Sequence, residues 1–353
     1  MEERYEACMI LHGVGDAMGY NRGKWEFNFS GEDIHKQLEQ LGGVESLSLK
    51  NWIVSDDTIL HLAIAECLIE NKELKPSDKL YLKLIPFYKS GMRDMKDRAP
   101  GNTTIDAVHK LRETRENGFQ IAFNEKGGGC GASMRSPCIG LRFSRPEQKN
   151  ELIEFAIESG RMTHHHPLGY LGAVAAALFT SYALQGKNIN SWGREALKDF
   201  ELAKNYIEKS SHFPKENSNT WNSFLNPWKE YLKIRKIDVE YSEAIFPEKY
   251  GVKERDEFYK SISGLRNWAG SLGLDSVLIA YDALLASKDD WIELCKRAML
   301  HGGDNDSTGC LAGAWYGALY GFKNVPKINY QSLEYKDRIS KCGKDLYSIQ
   351  YLD

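Results

Sequence analysis

The chain has 353 residues, 42% of them hydrophobic, which supplies a core of ordinary size for a soluble globule. A formal net charge of −3 gives no ground for nucleic acid or an acidic membrane as partner. Seven cysteines, odd in number and without a CxxC pair, point away from zinc and disulfides and towards a reducing, cytoplasmic setting.

Ala7, Leu11, Val14 and Met18 recur at helical spacing, which predicts a helix over 3–19, with Gly15 and Gly19 one turn apart for close packing. Its start, MEERYEACMI, carries early acids and no long apolar core, unlike a signal peptide. Residues 21–30 read as a loop containing Lys24-Trp25-Glu26-Phe27. The stretch 58–70 is apolar on almost every face and reads as a buried helix led by Ser55, Asp56 and Asp57. A helix from about Ser77 is expected to kink at Pro86, and 98–104 (RAPGNTT) reads as a turn. Glycines over 127–131 open a short helix over 132–139, and 140–144 carries the best of few strand signals.

Residues 151–158 read as a helix broken by Thr163-His164-His165-His166-Pro167, and 170–184 as a buried helix of small residues. Trp221, Phe224, Leu225, Trp228 and Leu232 mark an amphipathic helix. After a glycine-rich loop at 268–273, Asp275-Ser276 caps a helix through Ala286. Gly309, Gly313, Gly317 and Gly321 form a row on the helix after residue 308. No run approaches the apolar length of a bilayer span. Many helices, short loops and no repeat predict one all-α domain over 1–353.

Two stretches share a chemistry. Ser55-Asp56-Asp57-Thr58 and residues 301–308 (HGGDNDST) each set two carboxylates beside two hydroxyls, ahead of a helix. Asp304 and Asp306, two apart, project to one side of an extended loop. If the stretches meet, four carboxylates converge, and they cannot all stay ionised without cations between them. Ser55, Asp56, Asp57, Asp304, Asp306 and Ser307 form an oxygen set suited to a hard divalent cation, and a two-ion site is the expectation. Alone, Ser55-Asp56-Asp57-Thr58 reads as a helix cap; beside HGGDNDST it reads as half of a site.

The glycine run at 127–131 exposes N–H groups able to cradle phosphate, without the Lys-Ser/Thr or preceding strand of a P-loop. Three adjacent histidines cannot readily share one ion, so one of 164–166 is expected at a ligand and the others structural or exposed. Glu26 is a candidate mobile acid or base, and Asp16 in GDAMG reads as a buried capping acid.

GDAMGY, KWEF, VSDDTILH, RAPGNTT, GGGCGASMR, GRMTHHHPLGYLGA, IAYDALLA and HGGDNDSTG follow in that order along nearly the whole chain. Together they resemble the ADP-ribosylglycohydrolases, relatives of the dinitrogenase reductase-activating glycohydrolase, and most of all the ADP-ribosylarginine hydrolase branch. The resemblance implies an all-α orthogonal helical bundle with a dinuclear cleft. There Ser55, Asp56, Asp57, Asp304, Asp306 and Ser307 hold two Mg²⁺ ions, Mn²⁺ often substituting. It implies a diphosphate cradle at Gly128, Gly129, Gly131 and Ser133. Further ADP-ribose contacts are implied at Gly101, Asn102, Thr103, His164, Trp268, Gly270, Ser271 and Asp275.

The implied reaction is hydrolysis of the N-glycosidic bond between ADP-ribose and arginine on modified proteins. Asp56 or Asp57 activates water or meets the guanidinium, and Glu26 lies on a loop over the metals. ADP-ribosylated proteins and ADP-ribose are the implied partners, and a monomer is expected. One departure stands out. Close relatives carry histidine before the aspartate matching Asp275, where this chain has Gly273-Leu274-Asp275-Ser276, and 264–267 also reads differently. Leucine cannot hydrogen-bond, which leaves room for an altered linkage, ADP-ribosylserine or O-acetyl-ADP-ribose; a separate alternative is a non-catalytic ADP-ribose binder. The complete carboxylate set favours an active enzyme.

Overall fold

The computed structural model describes residues 1–210, 212–265 and 268–351. Among them seventeen α-helices follow in order. The first five are α1 (Glu2–Tyr20), α2 (Gly31–Gln40), α3 (Asp56–Glu70), α4 (Asp78–Gly91) and α5 (Asn102–Lys110). Next come α6 (Pro137–Arg142), α7 (Lys149–Arg161), α8 (Pro167–Leu184), α9 (Trp192–Lys209), α10 (Pro214–Thr220) and α11 (Asn222–Ile234). The last six are α12 (Val252–Ile262), α13 (Gly273–Ser287), α14 (Trp291–Ala298), α15 (Asn305–Tyr320), α16 (Lys327–Tyr330) and α17 (Lys336–Tyr351). No strand forms among the described residues; two isolated bridges join loops, Gly129 to Leu272 and Ala269 to Gly303. The all-α expectation holds.

Several local expectations are corrected. The strand signal at 140–144 falls largely in α6, started by Pro137 and packed on α8 so closely that a Cβ on Gly140 would lie 2.2 Å from the Ala177 carbonyl oxygen. The turn at 98–104 ends early, because α5 already begins at Asn102. Pro86 lies inside α4, as the sequence predicts, and the helix continues on both sides of it. α13 starts earlier than expected, at Gly273, but Asp275 does cap it, its carboxylate reaching back from the first turn to accept the Leu272 N–H at 2.8 Å. α8 is long and apolar enough to cross a bilayer, contrary to the sequence reading, and is almost wholly buried among the other helices. α9 has no counterpart in the sequence reading, although Trp192, Ala196, Phe200, Ala203 and Ile207 are buried at helical spacing.

Two contacts position the rest. α1 and α15 approach backbone to backbone. A Cβ on Gly15 would lie 2.0 Å from the Gly309 carbonyl oxygen, and one on Gly313 2.1 Å from that of Leu11. α1 also holds the start of α3. The buried Asp16 carboxylate accepts the N–H groups of Ser55 at 2.8 Å and Thr58 at 3.0 Å, and the Thr58 hydroxyl as well. Asp16 is the buried capping acid its motif predicts, acting across space on another helix.

Beneath this junction the rings of His12 and His61 stack with centroids 3.8 Å apart. His12 Nε2 donates to the Met134 carbonyl at 2.7 Å, while His61 Nε2 accepts the Cys138 N–H at 2.9 Å. Burial holds both rings neutral, lowering His12 to about 4 and His61 well below its usual range.

Two outcomes follow. Gly313→Ala gains about 1 kcal/mol from helix propensity alone, yet overpacking against Leu11 costs about 1–3 kcal/mol or more. A net loss in the urea midpoint is expected, and a gain would show that the helices can separate freely. A folded-state pKa below the unfolded one gives stability that is intact above pH 6.5 and is lost as pH falls towards about 4. The melting-temperature gap between the native chain and His12→Gln should therefore be constant above pH 7 and move in the variant's favour below 6.5. A gap that does not change with pH would remove this account.

Candidate functional site

Both acidic stretches sit at helix starts that α1 brings together. Ser55 caps α3, its Oγ accepting the Asp57 N–H at 3.1 Å, and Asp56 and Asp57 occupy the first turn. Asp304 caps α15 through the Ser307 N–H at 3.3 Å, and Asp306 accepts the same N–H at 2.9 Å. A Cβ on Gly19 would lie 2.2 Å from the Asn305 carbonyl oxygen, so α1 touches the HGGDNDST loop itself. Asn305 also ties down the segment before Glu26, donating to the Trp25 carbonyl at 3.1 Å.

One cavity of about 310 Å³ opens between these elements, and Glu26, Asp56, Asp57, Asp304, Asp306 and Ser307 all line it. Every one of the five carboxylates is buried. Burial and mutual repulsion push them towards protonation. Glu26 is driven up to about 10 by burial, then by Asp304 and Asp56, and its Oε2 has no hydrogen-bond partner among the described residues. Asp56, Asp57 and Asp306 rise well above the usual carboxylate range, with burial the first cause in each. The donor set is hard oxygen, with the Cys130 thiol alongside at 3.5 Å from Asp304 Oδ2. That chemistry suits divalent cations. Among the described residues no group of three His, Cys, Asp or Glu side chains is already arranged around a point to hold an ion.

The expected substrate contacts divide. Gly101, Thr103, Gly129, Gly131, His164, Trp268 and Ser271 line the same cavity. Six expected residues, metal or substrate, stand elsewhere. Asn102 faces a neighbouring hollow. Ser55 lies behind Asp57 as its cap. Gly128 is fixed from behind, its carbonyl accepting the Gly273 N–H at 3.0 Å. Ser133 is wholly buried; its hydroxyl donates to the Cys130 carbonyl and pairs with Ser276 Oγ, both at 2.8 Å. Gly270 turns the loop at φ +99° beside Asp304. Asp275 is wholly buried below the wall, raised to about 7 by burial.

His164, His165 and His166 are all buried, so none is the exposed residue the sequence allowed. His164 alone of the three lines the cavity, its Nδ1 paired with Thr163 Oγ1 at 2.8 Å and its ring lowered to about 3 by burial. Leu274 is a core residue with 4% exposure; the leucines that line the cavity are Leu265 and Leu272. Of the divergent run at 264–267, Arg266 and Asn267 lie outside the described residues. Cys130, Thr104, Met134 and Lys126 also line the cavity and were not singled out from sequence, although Cys130 interrupts the glycine run and Lys126 adjoins it.

The ADP-ribosylglycohydrolase family model matches residues 1–352. ADP-ribosylhydrolase ARH1 of Dictyostelium discoideum is 42% identical over 98% of this chain and 94% of its own length. ADP-ribosylhydrolase ARH3 of Xenopus tropicalis is 28% identical over 84% of this chain and 81% of its own. The solved structure of an ADP-ribosylglycohydrolase-related protein complex superposes with a TM-score of 0.59 at 17% identity, covering 99% of this chain and 98% of that one, a likeness of fold. The chain belongs to the ADP-ribosylglycohydrolase family and is an enzyme of ADP-ribosyl hydrolysis.

Proposed function

We propose that the protein releases ADP-ribose from arginine side chains of modified proteins, with Mg²⁺ as cofactor. The carrying observation is the convergence of Glu26, Asp56, Asp57, Asp304 and Asp306 on the cavity that also presents Gly129 and Gly131. A guanidinium is a planar cation, and a wall of carboxylates suits it as a leaving group. Asp56, Asp57, Asp304, Asp306 and Ser307 would hold two ions, with the remaining lone pair of Ser55 Oγ behind them, and Mn²⁺ would serve as substitute. When bound, the ions would orient the hydroxyls of the distal ribose and stabilise charge as the glycosidic bond breaks.

The chain's own groups do the rest. Asp56 or Asp57 takes a proton from the water that adds to the ribose carbon, and the guanidine departs with a proton. Glu26 is a further acid within the same cavity. His164, Thr103, Trp268 and Ser271 position the ADP-ribose. The ARH3 relatives, matched at lower identity, support a competing reading in which the linkage is to serine or an acetyl ester.

Arginine-, serine- and O-acetyl-linked ADP-ribose, each given with Mg²⁺ and with chelator, should show Mg²⁺-dependent release from the arginine substrate. Release from the serine or acetyl substrate alone would assign the enzyme to the competing linkage, and no release with ADP-ribose still bound in a calorimeter would leave a binding protein. Asp306→Asn should abolish turnover and weaken Mg²⁺ binding in calorimetry without substrate. Loss of even an outer partner costs about 10–100-fold in metal affinity, so a smaller change would refute the metal assignment.

A further inference from the structure

The substrate cavity continues past the glycine cradle. Along its wall Cys130 Sγ meets Ser307 Oγ at 3.4 Å and Asp304 Oδ2 at 3.5 Å, and the next residue, Gly131, packs on His164 and Thr104. Beyond Thr104, Thr103 and Lys126 line both this cavity and a second hollow of about 660 Å³. Lys110 and Gln120 are shared in turn with a third hollow of about 460 Å³ that reaches Arg112 and Arg115. The three hollows are neighbours in series through these shared residues, and the charge along them is polarised. Five carboxylates face the first. In the other two, Lys126, Lys110, Arg112 and Arg115 outnumber Asp106 and Glu116.

That local excess of positive charge stands on a chain whose net charge is −3. None of the four cations forms an ion pair among the described residues. The basic end is also shaped. The Arg112 guanidinium donates to the carbonyls of His109 at 2.6 Å and Leu111 at 2.8 Å, while its backbone N–H donates to the Gly118 carbonyl at 2.8 Å.

We propose that this basic arm is a second anion subsite, for phosphate carried beyond the adenosine end of an ADP-ribosyl substrate. The inference rests on the reading above, in which the acids receive the distal ribose and the cradle the diphosphate. The adenosine then lies in the middle hollow, and an anion attached to it falls among Lys110, Arg112 and Arg115. Such an anion is either a phosphate ester on the adenosine ribose or the diphosphate of a further ADP-ribose unit joined there. Both offer oxygens that guanidinium and ammonium groups bind. Exposed charge pairs are weak singly and screened by salt, so the subsite confers a preference rather than the bulk of the affinity.

The test is calorimetric titration of the full chain at low ionic strength with three ligands. They are ADP-ribose, ADP-ribose bearing a 2′-phosphate on its adenosine, and an ADP-ribose dimer joined through that position. One or both extended ligands should bind about five- to tenfold more tightly than ADP-ribose, the advantage shrinking as salt rises. A preference for the ester alone assigns the subsite to a single phosphate, and one for the dimer alone assigns it to a diphosphate. Arg112 and Arg115 are exposed and line only the third hollow, so the double variant Arg112→Ala with Arg115→Ala should keep its affinity for ADP-ribose and lose the preference. Equal affinity for all three ligands, or a preference that survives in the double variant, overturns the inference. Failure to bind ADP-ribose itself would defeat the reading of the cavity, and this subsite with it.

Discussion

Everything at the site depends on how closely α1 lies against α15. Glycines at 15 and 19 of one helix and at 309, 313 and 317 of the other let the two backbones meet where any Cβ would collide with a carbonyl group. Because Gly19 rests on Asn305, α1 fixes the height of the loop bearing Asp304 and Asp306. Because Asp16 lies on the same helix and grips the Ser55 and Thr58 N–H groups, α1 also fixes the start of α3. One helix thus sets the relation between carboxylates some 250 positions apart in sequence. The glycine row reads in sequence as a packing device, and that is its role; what it packs is the metrics of the cavity.

The arrangement is costly to the folded chain. A helix start stabilises a nearby carboxylate by about 0.3–1 kcal/mol, whereas taking a charged group out of water costs several kcal/mol. The starts of α3 and α15 therefore cannot balance the burial of Asp56, Asp57 and Asp306, which is why all three shift towards protonation. The conflict is concentrated in the cavity rather than spread over the surface, where acids such as Glu66 and Asp289 have ion-pair partners. Local stability is given up where carboxylates must face a substrate or a cation, the pattern expected of a working site.

The residues legible in sequence are those whose chemistry is unusual where they stand: paired acids beside hydroxyls, a run of glycines, a motif order along the chain. These identify the cavity's acids and cradle, and the all-α class. The expected residues that do not line the cavity are those whose position depends on which way a helix or loop faces. Ser133 and Asp275 belong to the right segments but point behind the wall, one bracing Cys130 and the other holding Leu272. Asn102 opens a helix that turns it towards the next hollow. Helices such as α9 escaped because their apolar residues are spaced among charges, a weaker signal than the continuous apolar faces of α3 and α8.

The departure at Leu274 changes meaning once the helix is in place. With α13 starting at Gly273, Leu274 turns into the core, and a histidine there would meet other side chains rather than the cavity. The wall residue is Leu272, two positions earlier in the extended segment before the helix. That segment is locked to the cradle on both sides, Gly273 N–H to the Gly128 carbonyl at 3.0 Å and Cys130 N–H to the Ser271 carbonyl at 2.9 Å. Glycine loop and wall therefore form one unit, and any repacking around Leu274 reaches the cavity through it. A change at position 274 therefore acts through the position of that unit, in which Leu272 and Trp268 are side chains that line the cavity.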